Sequence, residues 1–168
     1  ESRYNLPETT TEINLDGGLG HDQLTVIGGT GAESVRLLAG MLLLDSSSVD
    51  LTGSAVSMES IAYVGNGGGD VAKFIDSAAD DVFFAAPARS RMTGEGYANT
   101  VIGVGNVTAI SNRGGSDSAT LNGGDGDDRY ISRVGSVAMV GTGFSLQASG
   151  FAHTAGVAGA GNDTAVLN

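Results

Sequence analysis

The 168 residues suit a single domain or one block of a longer chain, and the first is Glu1, not Met, which reads as a processed or excised piece. Twenty-eight glycines stand against two prolines while 40% of the residues are hydrophobic, which describes a folded chain with many corners and excludes a flexible linker. Eight Lys and Arg against 19 Asp and Glu leave a net charge of −11, which repels a phosphate backbone, excludes nucleic acid as the expected partner and attracts cations.

There is no cysteine, so neither disulfides nor thiolate metal sites contribute. No apolar run approaches the ~20 residues of a membrane span. "GMLLLD" (Gly40–Asp45) is far too short.

In chain order, residues 1–12 read as an N-terminal lead-in. They include "LPETT" (Leu6–Thr10), a sortase-like string with Thr10 where glycine is required and at the wrong end of a chain. Residues 13–168 read as one β-solenoid domain of about three and a half repeats. "DQLTVI" (Asp22–Ile27) puts Leu24 and Val26 on one face, the alternation of a half-buried strand. "ESVRLLAGMLLLD" (Glu33–Asp45) is the best helical candidate, but Gly40 interrupts it and Ser-rich, β-like sequence follows. "DVAKFI" (Asp70–Ile75), "DSATLN" (Asp117–Asn122) and "DTAVLN" (Asp163–Asn168) share the pattern Asp-x-Ala-x-apolar, again a strand after a glycine-rich turn. Because "DTAVLN" ends inside that pattern, the expectation is a chain that continues, or another chain that pairs there.

The acids that close the turns reveal a repeat. Asp22, Glu33, Asp70, Asp81, Asp117, Asp128 and Asp163 are separated by 11, 37, 11, 36, 11 and 35 residues, so paired turns recur every 48, 47 and 46. "GEGYAN" (Gly94–Asn99) precedes "GTGFSL" (Gly141–Leu146) by 47, which sets Tyr97 over Phe144; Val104 precedes Phe151 by the same offset. Short strands, glycine corners and tandem repetition predict an all-β parallel β-helix or β-roll with a ~47-residue repeat of about two coils, with a β-sandwich as the alternative. In that picture the glycine–acid bends mark one edge at alternate levels, and Tyr97 and Phe144 stack in the core.

"GGLGHDQLT" (Gly17–Thr25) and "GGDGDDRYI" (Gly123–Ile131) both fit G-G-x-G-x-D-x-U-x, where U is a large apolar residue. With "INLDGGLGHDQLTVIGGTGAESVRL" (Ile13–Leu37) and "GNGGGDVAKFIDSAADDVFF" (Gly65–Phe84), the chain resembles the Gly/Asp-rich repeat regions of very large bacterial surface and secreted proteins. Those regions are similar to the hemolysin-type calcium-binding repeats. The resemblance implies export, a β-solenoid, and a scaffolding or adhesive role in which calcium is common; it implies no named activity.

The spacing departs from that pattern. Turns in repeats-in-toxin rolls recur every nine residues, whereas these lie 11 apart and return after ~47. Two coils span ~9.5 Å, and one Ca²⁺ with ligands at ~2.4 Å cannot bridge them. A continuous ladder of ions is not expected. Isolated sites are: Asp125, Asp127 and Asp128 within one turn, or Asp80 and Asp81 with Asp76. The candidate Ca²⁺ ligands are Asp22, Asp81, Asp125, Asp127 and Asp128; the bland alternative has each aspartate capping its own corner.

Catalysis is not expected. The pairs Asp80/Asp81 and Asp127/Asp128, with Arg129 and Arg133, would have to line one face, and His21 and His153 occupy unrelated repeat positions. The functional expectation is an extracellular or cell-surface structural or adhesive segment of a larger bacterial protein, not an enzyme. Its partners would be neighbouring modules of the same polypeptide and a surface or matrix polysaccharide or protein. The alternative is a polysaccharide-binding or polysaccharide-processing β-helix.

Overall fold

The computed structural model describes residues 12–46 and 51–168, the side chain of Leu51 excepted. The sortase-like string and most of the lead-in lie outside them. Every regular element among the described residues is a strand. The chain begins with β1 (Glu12–Asp16) and β2 (Gln23–Ile27). Three five-stranded modules follow. The first is β3 (Glu33–Leu38), β4 (Met41–Ser46), β5 (Leu51–Val56), β6 (Ser60–Val64) and β7 (Val71–Ile75). The second is β8 (Val82–Ala86), β9 (Arg89–Gly94), β10 (Tyr97–Ile102), β11 (Asn106–Ile110) and β12 (Ser118–Asn122). The third is β13 (Arg129–Arg133), β14 (Ser136–Gly141), β15 (Phe144–Ser149), β16 (His153–Val157) and β17 (Thr164–Leu167).

These strands build a β-solenoid of stacked parallel coils with two sheets. The larger sheet has ten strands in the order β1-β5-β4-β3-β7-β11-β15-β14-β13-β17; the smaller has seven, β16-β12-β8-β9-β10-β6-β2. Each module opens with a three-stranded antiparallel meander, and all other pairings are parallel. Gly40, Gly96, Gly135 and Gly143 take φ of 65–81° in the tight turns of these meanders, where a side chain would be strained.

The meanders have a definite job. From β1 the chain crosses to β2 and returns as β3, three places along the larger sheet; β4 and β5 then fold back and fill the gap. The same climb and return places β8–β10 between β12 and β6, and β13–β15 between β17 and β11. Parallel neighbours are therefore 35 to 40 residues apart: Phe74 lies opposite Leu37 on one side and Ala109 on the other.

Five is an odd number of strands for two sheets. Equivalent strands of successive modules consequently fall in opposite sheets: β7 and β17 in the larger, β12 in the smaller. Asp70 and Asp163 sit where the chain enters the larger sheet, and Asp117 where it enters the smaller. The expected single column of glycine–acid bends is thereby corrected to two columns, one at each corner of the coil. Tyr97 and Phe144, both buried, are likewise divided between β10 and β15 and do not stack.

The core is the thin layer between the sheets. Strand alternation points Val35, Leu37, Ala72, Phe74, Val107, Ala109, Leu146 and Ala148 inward from one side, and Ile61, Tyr63, Phe83, Ala85, Met92, Ala119 and Leu121 from the other. Phe74 and Phe83 meet across the layer with ring centroids 5.3 Å apart, and Phe151 packs on Phe83 at 6.0 Å. Burying each such ring stabilises the fold by about 1.5–3 kcal/mol relative to leaving it in water.

Candidate metal centre

The corners combine two needs. The backbone turns sharply, so amides are left without ladder partners. Adjacent levels are also close enough for one level's side chain to serve the next. Acids meet both needs. The Asp22 amide donates to Glu59 Oε2 (2.7 Å), Glu33 to Asp70 Oδ1 (3.0 Å), Asp81 to Asp117 Oδ1 (2.7 Å) and Asp128 to Asp163 Oδ1 (2.9 Å). Each link joins the entries into two neighbouring parallel strands. The corner acids therefore tie one level to another, in addition to capping within a turn, where Asp81 and Asp128 Oδ2 accept from the amides four residues earlier. The Asp22 amide holds the half-buried Glu59 carboxyl below its ordinary range, with His21 adding a smaller attraction.

Three of these corners fill their polar interior differently. In the first, Tyr63 donates to Glu33 Oε2 (3.2 Å) and sits 3.1 Å from Asp70 Oδ2, while Ser46 donates to Glu33 Oε1 (3.1 Å). In the second, Tyr97 donates to Asp81 Oδ1 at 2.7 Å. Burial, then the neighbouring carboxylates, raise both phenols well above their ordinary value. In the third, Phe144 replaces Tyr97, and the buried Asp128 Oδ1 has no partner.

The second corner holds the densest charge. Asp76 follows β7, Asp81 precedes β8 and Asp117 precedes β12, and all three are at most 1% exposed. One carboxylate oxygen from each lies within 4.8 Å of the other two. Asp117 Oδ2 accepts from Ser111 Oγ (2.6 Å), and Asp81 Oδ2 from the Ser77 amide (2.6 Å) and Oγ (2.9 Å). Asp76 Oδ2 accepts the amides of Asn112 (2.9 Å) and Arg113 (2.8 Å), but Asp76 Oδ1 is buried with no partner. Three carboxylates within twice a typical Ca–O bond length of one another, one of them presenting an unsatisfied buried oxygen, form a group able to hold a metal ion.

Of the candidate ligands read from the sequence, Asp81 belongs to this group, and so does Asp76, the partner expected beside Asp80 and Asp81 in an isolated site. Asp22 is half-buried at the same kind of corner, its backbone amide donating to Glu59 while its own Oδ2 is buried with no partner. Asp125 and Asp127 are exposed, and Asp127 Oδ1 accepts from the Asn162 amide (2.8 Å). Asp128 is buried at the opposite corner. Asp80 is exposed and serves the Ser116 amide (2.7 Å). The pairs Asp80/Asp81 and Asp127/Asp128 thus lead into different sheets and line no common face.

Asp117 was missed as a ligand because it looks like every other corner acid. Asp76 had a usable signal. Its repeat equivalents are Gly28 and Gly123, where an added Cβ would overlap Tyr63 Oη and Asp128 Oδ2 respectively. Only in the second module does a carboxylate stand at that place. Comparisons with protein families, curated proteins and solved structures found no match to the chain.

Proposed function

We propose that this chain is a load-bearing, modular segment of an extracellular bacterial surface protein, and that Ca²⁺ held by Asp76, Asp81 and Asp117 stabilises it. The observation that carries the reading is the burial of all three carboxylates together with the unpartnered Asp76 Oδ1. A substrate could not reach them, so the role they fit is structural, not catalytic. A cation there joins the turn after β7 to the turn after β11, reinforcing the level-to-level links that the acids already make. Hard carboxylate and hydroxyl oxygens without sulfur or imidazole suit Ca²⁺ over transition metals.

Without a cation, each pair of charges, at most 4.8 Å apart, repels by about 3–4 kcal/mol or more at an effective dielectric constant of ~20. Thermal melting during a Ca²⁺ titration tests the proposal. Saturation to about 100 times the dissociation constant adds about 2.7 kcal/mol, or roughly 5–10 °C in a chain of this size. Asp76→Asn keeps the acceptor for the Asn112 and Arg113 amides and removes one charge. It should raise the melting point in chelator and abolish the Ca²⁺ response. A wild-type midpoint that ignores millimolar Ca²⁺ removes the metal from the proposal.

A further inference from the structure

The two sheets do not end together. β16 is the last strand of the smaller sheet, while β14, β13 and β17 carry the larger sheet three strands further than its neighbour β15. Module equivalence shows what that overhang lacks. β16 corresponds to β6 and β11, which bury Ile61 and Tyr63, and Val107 and Ala109; β16 is exposed along its whole length. In β17, Ala165 and Leu167 hold the places of Ala72 and Phe74 in β7 and of Ala119 and Leu121 in β12, all four buried. Here Ala165 is exposed and Leu167 is 76% exposed. Tyr130, equivalent to the buried Val35 and Phe83, is half-buried. It borders a cavity of about 210 Å³ whose wall includes Met139, Gly156 and Ala165.

The interior of the fold identifies the cover. Beside β6, the smaller sheet continues with β10, β9 and β8, the meander that the chain enters directly from β7. β10 lies parallel to β6, with Ala98 to Ile102 opposite Ser60 to Val64. At the open end, β16 stands for β6 and β17 for β7. We propose that this end is a docking surface for a three-stranded antiparallel β-meander of the same repeat, which joins the smaller sheet parallel to β16 and covers Tyr130, Ala165 and Leu167.

This rests on the modular reading above but not on its metal. A second whole copy fits less well. If its β1 paired with β17 as β11 pairs with β7, its β2 would stand where β12 stands, separated from β16 by the width of three strands. That gap is the meander itself.

The test extends the chain after Asn168 with a further copy of Asp76–Asn122, the segment that follows a β7-type strand and carries the meander. Since there is no native cysteine, Ala165→Cys gives one thiol to label, and Gln147→Cys, exposed on the outer side of β15, is the control. Labelling of Ala165→Cys should be fast in the original chain and slower by about tenfold or more in the extended one, with the control equally fast in both. Unchanged labelling of Ala165→Cys, in an extended chain whose strand signal by circular dichroism has grown, overturns the proposal. So does protection already present in the original chain with concentration-dependent sedimentation, which would assign the surface to a second copy. Leu167→Asp provides an independent reading. It should leave the melting of the original chain unchanged and loosen the added module in the extended chain; equal effects in both refute the docking geometry. Failure of the Ca²⁺ titration leaves all these outcomes unaffected.

Discussion

The corner at Phe144 offers a quantitative check on how the modules are built. Tyr97 and Phe144 are equivalent residues, each packed beside a glycine, Gly94 or Gly141, where an added Cβ would overlap both the ring and the carboxylate. The triangle of glycine, ring and acid is therefore the same in both modules. Tyr97 supplies a hydroxyl to Asp81 Oδ1 at 2.7 Å, and Phe144 leaves Asp128 Oδ1 buried and unpartnered. A hydrogen bond to a charged group contributes about 1.5–3 kcal/mol, and an orphaned buried acceptor costs a similar amount. Phe144→Tyr should then stabilise the chain by about 1.5 kcal/mol, or roughly 3–6 °C in melting temperature. Tyr97→Phe should destabilise it by at least as much. Calorimetry and denaturant unfolding of both variants measure the two effects. If Tyr97→Phe destabilises while Phe144→Tyr is neutral or harmful, the two corners are not equivalent and the reasoning fails.

The other expectations concern pH, packing and the turns. The Tyr63 and Tyr97 phenols are raised in the folded chain, so they stay protonated where the unfolded chain ionises them. Stability should be intact below pH ~10 and fall as pH rises further; an alkaline melting series in which Tyr97→Phe shows the same slope as wild type would contradict this. Phe83 is fully buried and touches both Phe74 and Phe151, so Phe83→Ala should cost about 3–5 kcal/mol, read from the urea midpoint. Gly94→Ala should be damaging despite the small change, because its Cβ falls on Asp81 Oδ1, whereas Gly126→Ala meets open space and should alter the midpoint little.

Much of the solenoid could be read from residue order. Alternation in "DVAKFI" and "DSATLN" assigned Ala72, Phe74, Ala119 and Leu121 to one face, and all four are buried. What escaped was the meander. Ala39-Gly40 and Pro87-Ala88 are two-residue loops without a polar residue, so "ESVRLLAGMLLLD" carries no polar break to announce a reversal. Without the reversals, the strand count per repeat stayed hidden, and with it the alternation of sheets. The interval that matters for contacts was already present among the corner acids. Separations of 37, 36 and 35 residues are the hydrogen-bonded links Glu33–Asp70, Asp81–Asp117 and Asp128–Asp163, while 47 is the interval of equivalence. The centre was partly legible for a related reason. Asp76 departs from the glycine of its counterparts, but Asp117 reaches it only through a fold that brings two corner turns together.

The climb of three strands and the return of two resembles a lock stitch. The middle strand of each meander is held by its sequence neighbours, but the two flanking strands also pair with strands of another level, so tension on the two termini cannot peel away one coil without releasing the meander threaded beneath it. The slack should appear in whole modules. Five strands and their turns, drawn out at ~3.4 Å per residue, give about 160 Å for each module released. A filament made this way would yield in long, discrete lengths and keep its remaining windings intact.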